Sequence, residues 1–365
     1  MKIMINGTVL RDGWITGIQR YTGSLINALL RLESDHEWHI LLRPGYTPAW
    51  KHPRDAFLHW SPFGDRPRTD QFWLPRMVTE VAPDVIHFTA FAPPWRRLLR
   101  HTKTVWTIHD AVFWLYPETL SPAGKVYYRP LVNRALGKRH CDLVLTVSQA
   151  AASDLRSRIP DDIPIRVTRN GLGDEFRPSS QTPDQYGLHR YILTVATAEP
   201  RKNLSGLVLA HAMLRARAPA TPPLVIVGRK GWGRQLPRKT DAVERLELVG
   251  DDDLPSLYSH CASFVLPSLY EGFGMPLLEA MACGAPSIAS DIPALKEVGG
   301  DACLYVPVGN ARALADAIET VLSDQVLAAR LRAAGIERSS GFSWAECARL
   351  TLEGYEAVVA GSRGA

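Results

Sequence analysis

The 365-residue sequence has only five cysteines, Cys141, Cys261, Cys283, Cys303 and Cys347, widely spaced and without a C-x-x-C pair. That argues against a disulfide framework and a zinc cage, and it fits a reducing compartment. Cys283, inside AMACGAP, reads as a small packing residue rather than a nucleophile. No apolar run approaches the roughly 20 residues of a membrane-spanning helix. The opening MKIMINGTVL carries one lysine, a short apolar run and then polar residues. It is expected to form a first strand rather than a signal peptide. Charge of one sign is not concentrated either. The net +5 suits an anionic small partner, but there is no basic stripe or nucleic-acid motif, so no nucleic acid is expected. A G-x-G-x-x-G fingerprint is absent, because Gly228, Gly231 and Gly233 in VGRKGWG fall in the wrong order. So is a G-x-x-x-x-G-K-[ST] loop, which together argue against a nicotinamide dehydrogenase and a P-loop NTPase.

What is present is alternation. Short Val/Ile-rich runs such as KIMIN, DVIHF, LVLTVS, YILTVA, PLVIVG, LELVG and SFVLPS alternate with amphipathic stretches at 17–32, 204–217 and 311–322. Continuous apolar runs without strict alternation are expected of parallel strands buried on both faces, hence an α/β fold. The pattern restarts after RNGLGDEFRPSSQTPDQYG. This predicts a first domain at 1–170, a linker at 171–187, a second domain at 188–342 and a closing helical segment at 343–365 that packs back on the first domain. Two doubly wound parallel sheets would place ligands outside the carboxyl ends of their strands, in a shared cleft.

Four stretches could carry chemistry there. Gly17 precedes an amphipathic helix and could let an anion approach exposed backbone N–H groups, or it could mark an ordinary turn. His109 follows the strand KTVWT, where it could donate a hydrogen bond to a sugar hydroxyl or polarise a leaving group. Arg201 and Lys202 in TAEPRKNL sit where a strand gives way to a helix, and adjacent cations there suit a diphosphate, with Glu199 orienting one of them. Finally, LYEGFGMPLLEAMACGAP places Glu271 before a glycine turn and Glu279 after it, on the first turns of a helix. Gly272 and Gly274 would let backbone N–H groups approach a ligand closely. The acidic run Asp251–Asp253 is read as a cap for the helix near Leu254 rather than as a metal site.

The series P-S-x-x-E-G-F-G-x-P-x-L-E-A-M-A-x-G-x-P resembles the signature of the retaining nucleotide-sugar glycosyltransferases of family 4, which have the GT-B fold of two facing Rossmann-like domains. The Gly17 loop, IHD at His109, RNGLGDEF, EPRKN, VGRKGW and FSWAECARL follow in that family's order, and the subset resembles bacterial mannosyl- and rhamnosyltransferases of surface polysaccharide assembly. The resemblance implies that Glu279 binds the donor ribose and that Phe273, Gly274 and Met275 give backbone contacts to sugar and diphosphate. It puts Glu271 and His109 beside the transferred sugar, and Arg201, Lys202 and Gly17 at the diphosphate. Where many members carry Gly-Arg before E-P-x-K, this sequence has Ala196 and Thr197, which shifts phosphate work to Arg201. The implied donor is a nucleotide-diphosphate sugar, with GDP-mannose or a GDP-deoxyhexose favoured, and neither a metal nor another cofactor is required. The acceptor is a glycan or a polyprenyl-diphosphate-linked glycan. The resemblance implies a cytoplasmic protein, and PPWRRLLRHTK (Trp95, Arg96, Arg97, Arg100, Lys103) could rest on the inner membrane or be an ordinary basic surface helix. A nucleotide-sugar hydrolase or epimerase, and a non-catalytic scaffold, are the competing classes.

Overall fold

The computed structural model describes residues 1–12, 16–48, 56–232, 240–247 and 249–361. It divides the chain into two units, residues 1–171 with 343–365, and residues 172–342. The first carries β1 (Lys2–Asn6), β2 (Glu37–Leu42), β3 (Ala56–Trp60), β4 (Val85–Phe88), β5 (Lys103–Thr107), β6 (Leu143–Thr146) and β7 (Ile165–Val167). They form one parallel sheet in the order β3-β2-β1-β4-β5-β6-β7. The second unit carries β8 (Ile192–Val195), β9 (Leu224–Val227), β10 (Val243–Leu246), β11 (Ser263–Leu266), β12 (Ser287–Ser290) and β13 (Cys303–Val306). Their order is β10-β9-β8-β11-β12-β13, again parallel.

Every residue of β4, β6, β8, β9, β11 and β12 is buried, which is why these runs are apolar without alternation. The edge strand β3 is partly exposed and leaves Phe57 and Trp60 half open to solvent. In each sheet the strand order reverses once, between β1 and β4 in the first and between β8 and β11 in the second. At such a point the loops leaving the strands diverge to opposite faces and open a crevice.

The interval 171–187, read as a linker, is folded onto the second unit from Leu172 onward. Phe176 is buried edge-on against Tyr258, Ser179 N donates to Ser259 Oγ (2.9 Å), and Tyr186 Oη donates to Asp253 (2.7 Å). These bonds also change the reading of the acidic run. Asp253 stands at the N-cap of α3 (Leu254–His260; α1 is Gly17–Leu30 and α2 Leu204–Arg217), but its carboxylate makes no cap bond because Gln185 and Tyr186 occupy it. The closing helix Trp344–Ala360 belongs to the first unit. A Cβ on Gly354 would stand 3.1 Å from Leu143 Cδ2, and Tyr355 Oη bonds His87 Nδ1 at 2.6 Å. All five cysteines are free and buried. PPWRRLLRHTK is not a helix: it is an irregular loop running into β5, with Trp95, Arg96, Arg97 and Arg100 exposed. Two prolines open it, and the residue before each proline is held extended.

Candidate active site

In the second unit the loops after β8 and β11, the two strands at the reversal, are tied to each other. Leu269 N donates to the Arg201 carbonyl at 2.8 Å, and the Asn203 carboxamide donates to the Pro267 carbonyl at 3.2 Å. Asn203 adopts φ +51°, a left-handed conformation that asparagine tolerates, and so turns the chain from Pro200–Lys202 into α2. This geometry brings Arg201 and Lys202 onto Glu271. Its Oε1 accepts from Lys202 Nζ at 2.5 Å and from Ser268 Oγ at 2.7 Å, while Oε2 accepts from Arg201 Nη1 at 3.0 Å. Arg201 Nε donates in turn to Glu199 at 3.0 Å.

The Glu271 side chain is only 7% exposed. Burial pushes its carboxyl group up, but the Lys202 and Arg201 charges and the Lys202 and Ser268 hydrogen bonds win and hold it at about 2. Sequence reasoning set Glu271 toward the reacting sugar and missed its role as shared counter-ion, because pairing across 70 residues leaves no local pattern. Ser268 was missed as well, although it is the serine of P-S-x-x-E.

Gly274 caps α4 (Met275–Ala282) at φ +109°, and a Cβ there would stand 2.4 Å from Leu295 Cδ2. Phe273 packs edge-on against Phe342, and Met275 is buried, so what these two can offer a ligand is backbone. Glu279 is buried within α4 and accepts from Tyr258 Oη at 2.9 Å. Nothing in PSLYSH marked Tyr258 as its partner. The glycines of VGRKGW have a packing reason. A Cβ on Gly228 or Gly231 would fall 2.2 or 2.4 Å from the carbonyls of Ala196 or Ala198, so this loop lies directly on the backbone after β8. Gly233 lies outside the described residues.

In the first unit, Gly17 is the first residue of α1, behind a capping box in which Thr16 and Gln19 satisfy each other's backbone N–H groups. A Cβ on Gly17 would meet nothing within 4 Å. The loop residues 13–15 before it lie outside the described residues. His109 follows β5, and its Nε2 is 2.8 Å from the Thr89 carbonyl. A carbonyl can only accept, so Nε2 carries the proton and Nδ1 is an acceptor in the neutral ring. Burial lowers its pKa, against the raising pull of the Thr89 bond and Asp110. The expectation that His109 donates to a sugar hydroxyl is corrected: its donor is already spent. Arg201, Lys202, Glu271, Gly274 and Glu279 are therefore gathered in one unit, and Gly17 and His109 in the other.

Residues 15–176 match the domain described as Glycosyltransferase Family 4, and residues 177–338 the domain described as Glycosyl transferases group 1. Over 276 residues the chain is 33% identical to O-antigen chain mannosyltransferase B of Escherichia coli, covering 70% of this chain and 71% of that protein. The chain belongs to glycosyltransferase family 4. The serotype-specific mannosyltransferase WbdA of Escherichia coli is 29% identical over 324 residues, 78% of this chain but 38% of that longer protein. Among solved structures, sucrose-phosphate synthase from Thermosynechococcus elongatus superposes with a TM-score of 0.76 at 22% identity, covering 99% of each chain. Anabaena HepE, solved with UDP-glucose, superposes at 0.72 with 18% identity, covering 98% of this chain and 100% of that one. The fold of this family 4 glycosyltransferase is GT-B. Among the described residues no helix is long and apolar enough to cross a membrane, and no group of three or more acidic, histidine or cysteine side chains is placed to hold a metal ion.

Proposed function

We propose that this glycosyltransferase moves a hexose, mannose or a deoxyhexose, from a nucleotide-diphosphate sugar to a glycan or polyprenyl-diphosphate-linked glycan during polysaccharide synthesis, with retention at the anomeric carbon. The observation that carries the proposal is the pair Arg201 and Lys202, pinned by Glu271 at the strand-order reversal. The likeness to O-antigen mannosyltransferases supports mannose, with GDP-mannose as the donor. In this reading the bond from C1 to the diphosphate oxygen breaks while the acceptor oxygen bonds C1 on the same face. The acceptor proton passes to the departing diphosphate, whose growing charge Arg201 and Lys202 neutralise. Cations fixed by a buried counter-ion cost little reorganisation as that charge appears, and they take the place of a divalent metal.

Glu279, oriented by Tyr258, accepts the donor ribose hydroxyls. In this reading the backbone of Phe273, Gly274 and Met275 contacts the phosphates and sugar, and Gly17 approaches the diphosphate. His109 accepts a hydroxyl of the transferred hexose through Nδ1. Lys202→Ala should lower kcat by about 100-fold or more, while the KM for donor changes less. Steady-state kinetics with GDP-mannose as varied donor reads both, and a kcat within twofold of the parent would refute the leaving-group role.

A further inference from the structure

Several buried titratable groups of the first unit that the reaction does not use meet in one chain of hydrogen bonds. His87 lies on β4, the middle strand of the seven, and is wholly buried. Its Nδ1 is 2.6 Å from Tyr355 Oη on the closing helix, and its Nε2 is 2.8 Å from Thr107 Oγ1 at the end of β5. Thr107 Oγ1 lies 3.0 Å from Tyr21 Oη on α1, and Tyr21 is bonded to Thr168 as well. Burial above all, with the His109 ring second, holds His87 down at about 3, so its imidazole is neutral near neutral pH. In the neutral ring one nitrogen donates and the other accepts, so the Tyr355 and Thr107 hydroxyls point the same way along the chain. An imidazole in the middle of a sheet is costly unless its nitrogens are paired, and a paired buried network holds its members in one arrangement.

That chain ends against His109. The Tyr21 and His109 rings meet at right angles with their centroids 4.6 Å apart, and Trp344, the first residue of the closing helix, packs on Tyr21 at 5.9 Å. Thr89, whose carbonyl takes the His109 Nε2 proton, is itself held: its hydroxyl donates to the Asn6 carbonyl at 2.9 Å and accepts from Thr22 at 3.0 Å. Tyr21 and Thr22 are neighbours on α1, so one helix steadies both the His109 ring and the group that fixes its proton. We infer that Tyr21 is a positioning residue that sets the His109 ring for the transferred hexose, and that Tyr355 of the closing helix holds Tyr21 through His87 and Thr107. The inference rests on the reading of His109 as a contact of the hexose, and it gives the last helix of the chain a part in the site.

The test compares Tyr21→Phe and Tyr355→Phe of the full chain with the parent, using GDP-mannose as donor and mannotriose as acceptor. Each variant keeps its ring and loses one hydroxyl. The kcat/KM for GDP-mannose should fall about 10-fold in both, while the Kd of GDP, which has no hexose, stays within about twofold. In NMR spectra of protein with labelled histidine, the His109 ring signals, assigned from His109→Gln, should shift in both. A kcat/KM within about twofold of the parent in either folded variant would overturn the inference. So would an equal loss of GDP affinity, which general damage to the fold would cause. If one variant fails to fold, the other decides alone. If the parent transfers nothing, the transferase reading fails separately and the His109 signals decide: shifted signals support the positioning chain, and unchanged signals overturn it.

Discussion

At the scale of single residues, the site turns on one buried carboxylate that satisfies two cations. Removing the Glu271 charge takes away the carboxylate that Arg201 and Lys202 share, while Arg201 keeps Glu199. Glu271→Gln should therefore cost about 3 kcal/mol of stability at neutral pH, read by urea denaturation. The pH dependence has a definite sign. The folded carboxyl group is held at about 2, below its ordinary 4.5, so its contribution is complete above 4.5 and is lost as pH falls toward 2. Denaturation curves at pH 7, 4 and 3 should show the parent losing stability across that window, and Glu271→Gln losing less. Parallel losses in the two proteins would mean that the ion pairs do not hold the carboxyl group down. Little of this was legible beforehand. EPRKN and the glutamates at 271 and 279 stood out by type and position, and Ser268 lies within the same motif, three residues before Glu271, but Tyr258 and the Thr89 carbonyl that sets the His109 proton are tertiary partners. No spacing rule marks a partner 20 or 70 residues away.

At the scale of elements, the turn into α4 depends on Gly274 for two separate reasons. Its φ of +109° is costly for any residue with a Cβ, and that Cβ would collide with buried Leu295. Gly274→Ala should lower stability by about 2 kcal/mol and should weaken GDP binding as the helix N-terminus shifts, measured by thermal denaturation and calorimetric titration. Unchanged stability and affinity would show the turn to be compliant. Elements buried on both faces were readable, because β4, β8, β9 and β11 are bare apolar runs. Edges were not. AFLHW became β3 although it is partly exposed and mixed in character, CLYV became β13, and the strand expected at LELVG is Val243–Leu246.

At the scale of the molecule, two parallel sheets with one reversal each explain why the candidate chemistry sits on loops rather than in the cores. The alternation restarts near Tyr191, and the structure divides the chain after 171 and after 342. The attachment of 172–187 was not legible, since Phe176, Ser179 and Tyr186 look like linker residues until Tyr258, Ser259 and Asp253 are beside them. The central claim concerns the reaction of the whole chain, and product analysis tests it most directly. The protein is incubated with GDP-mannose and mannotriose in buffer containing EDTA, and the anomeric one-bond carbon–proton coupling of the new residue is read by NMR. Release of GDP with a new α-linked mannose is the predicted result. A β-linked product, or GDP-mannose consumed to free mannose with no glycan extended, would contradict it.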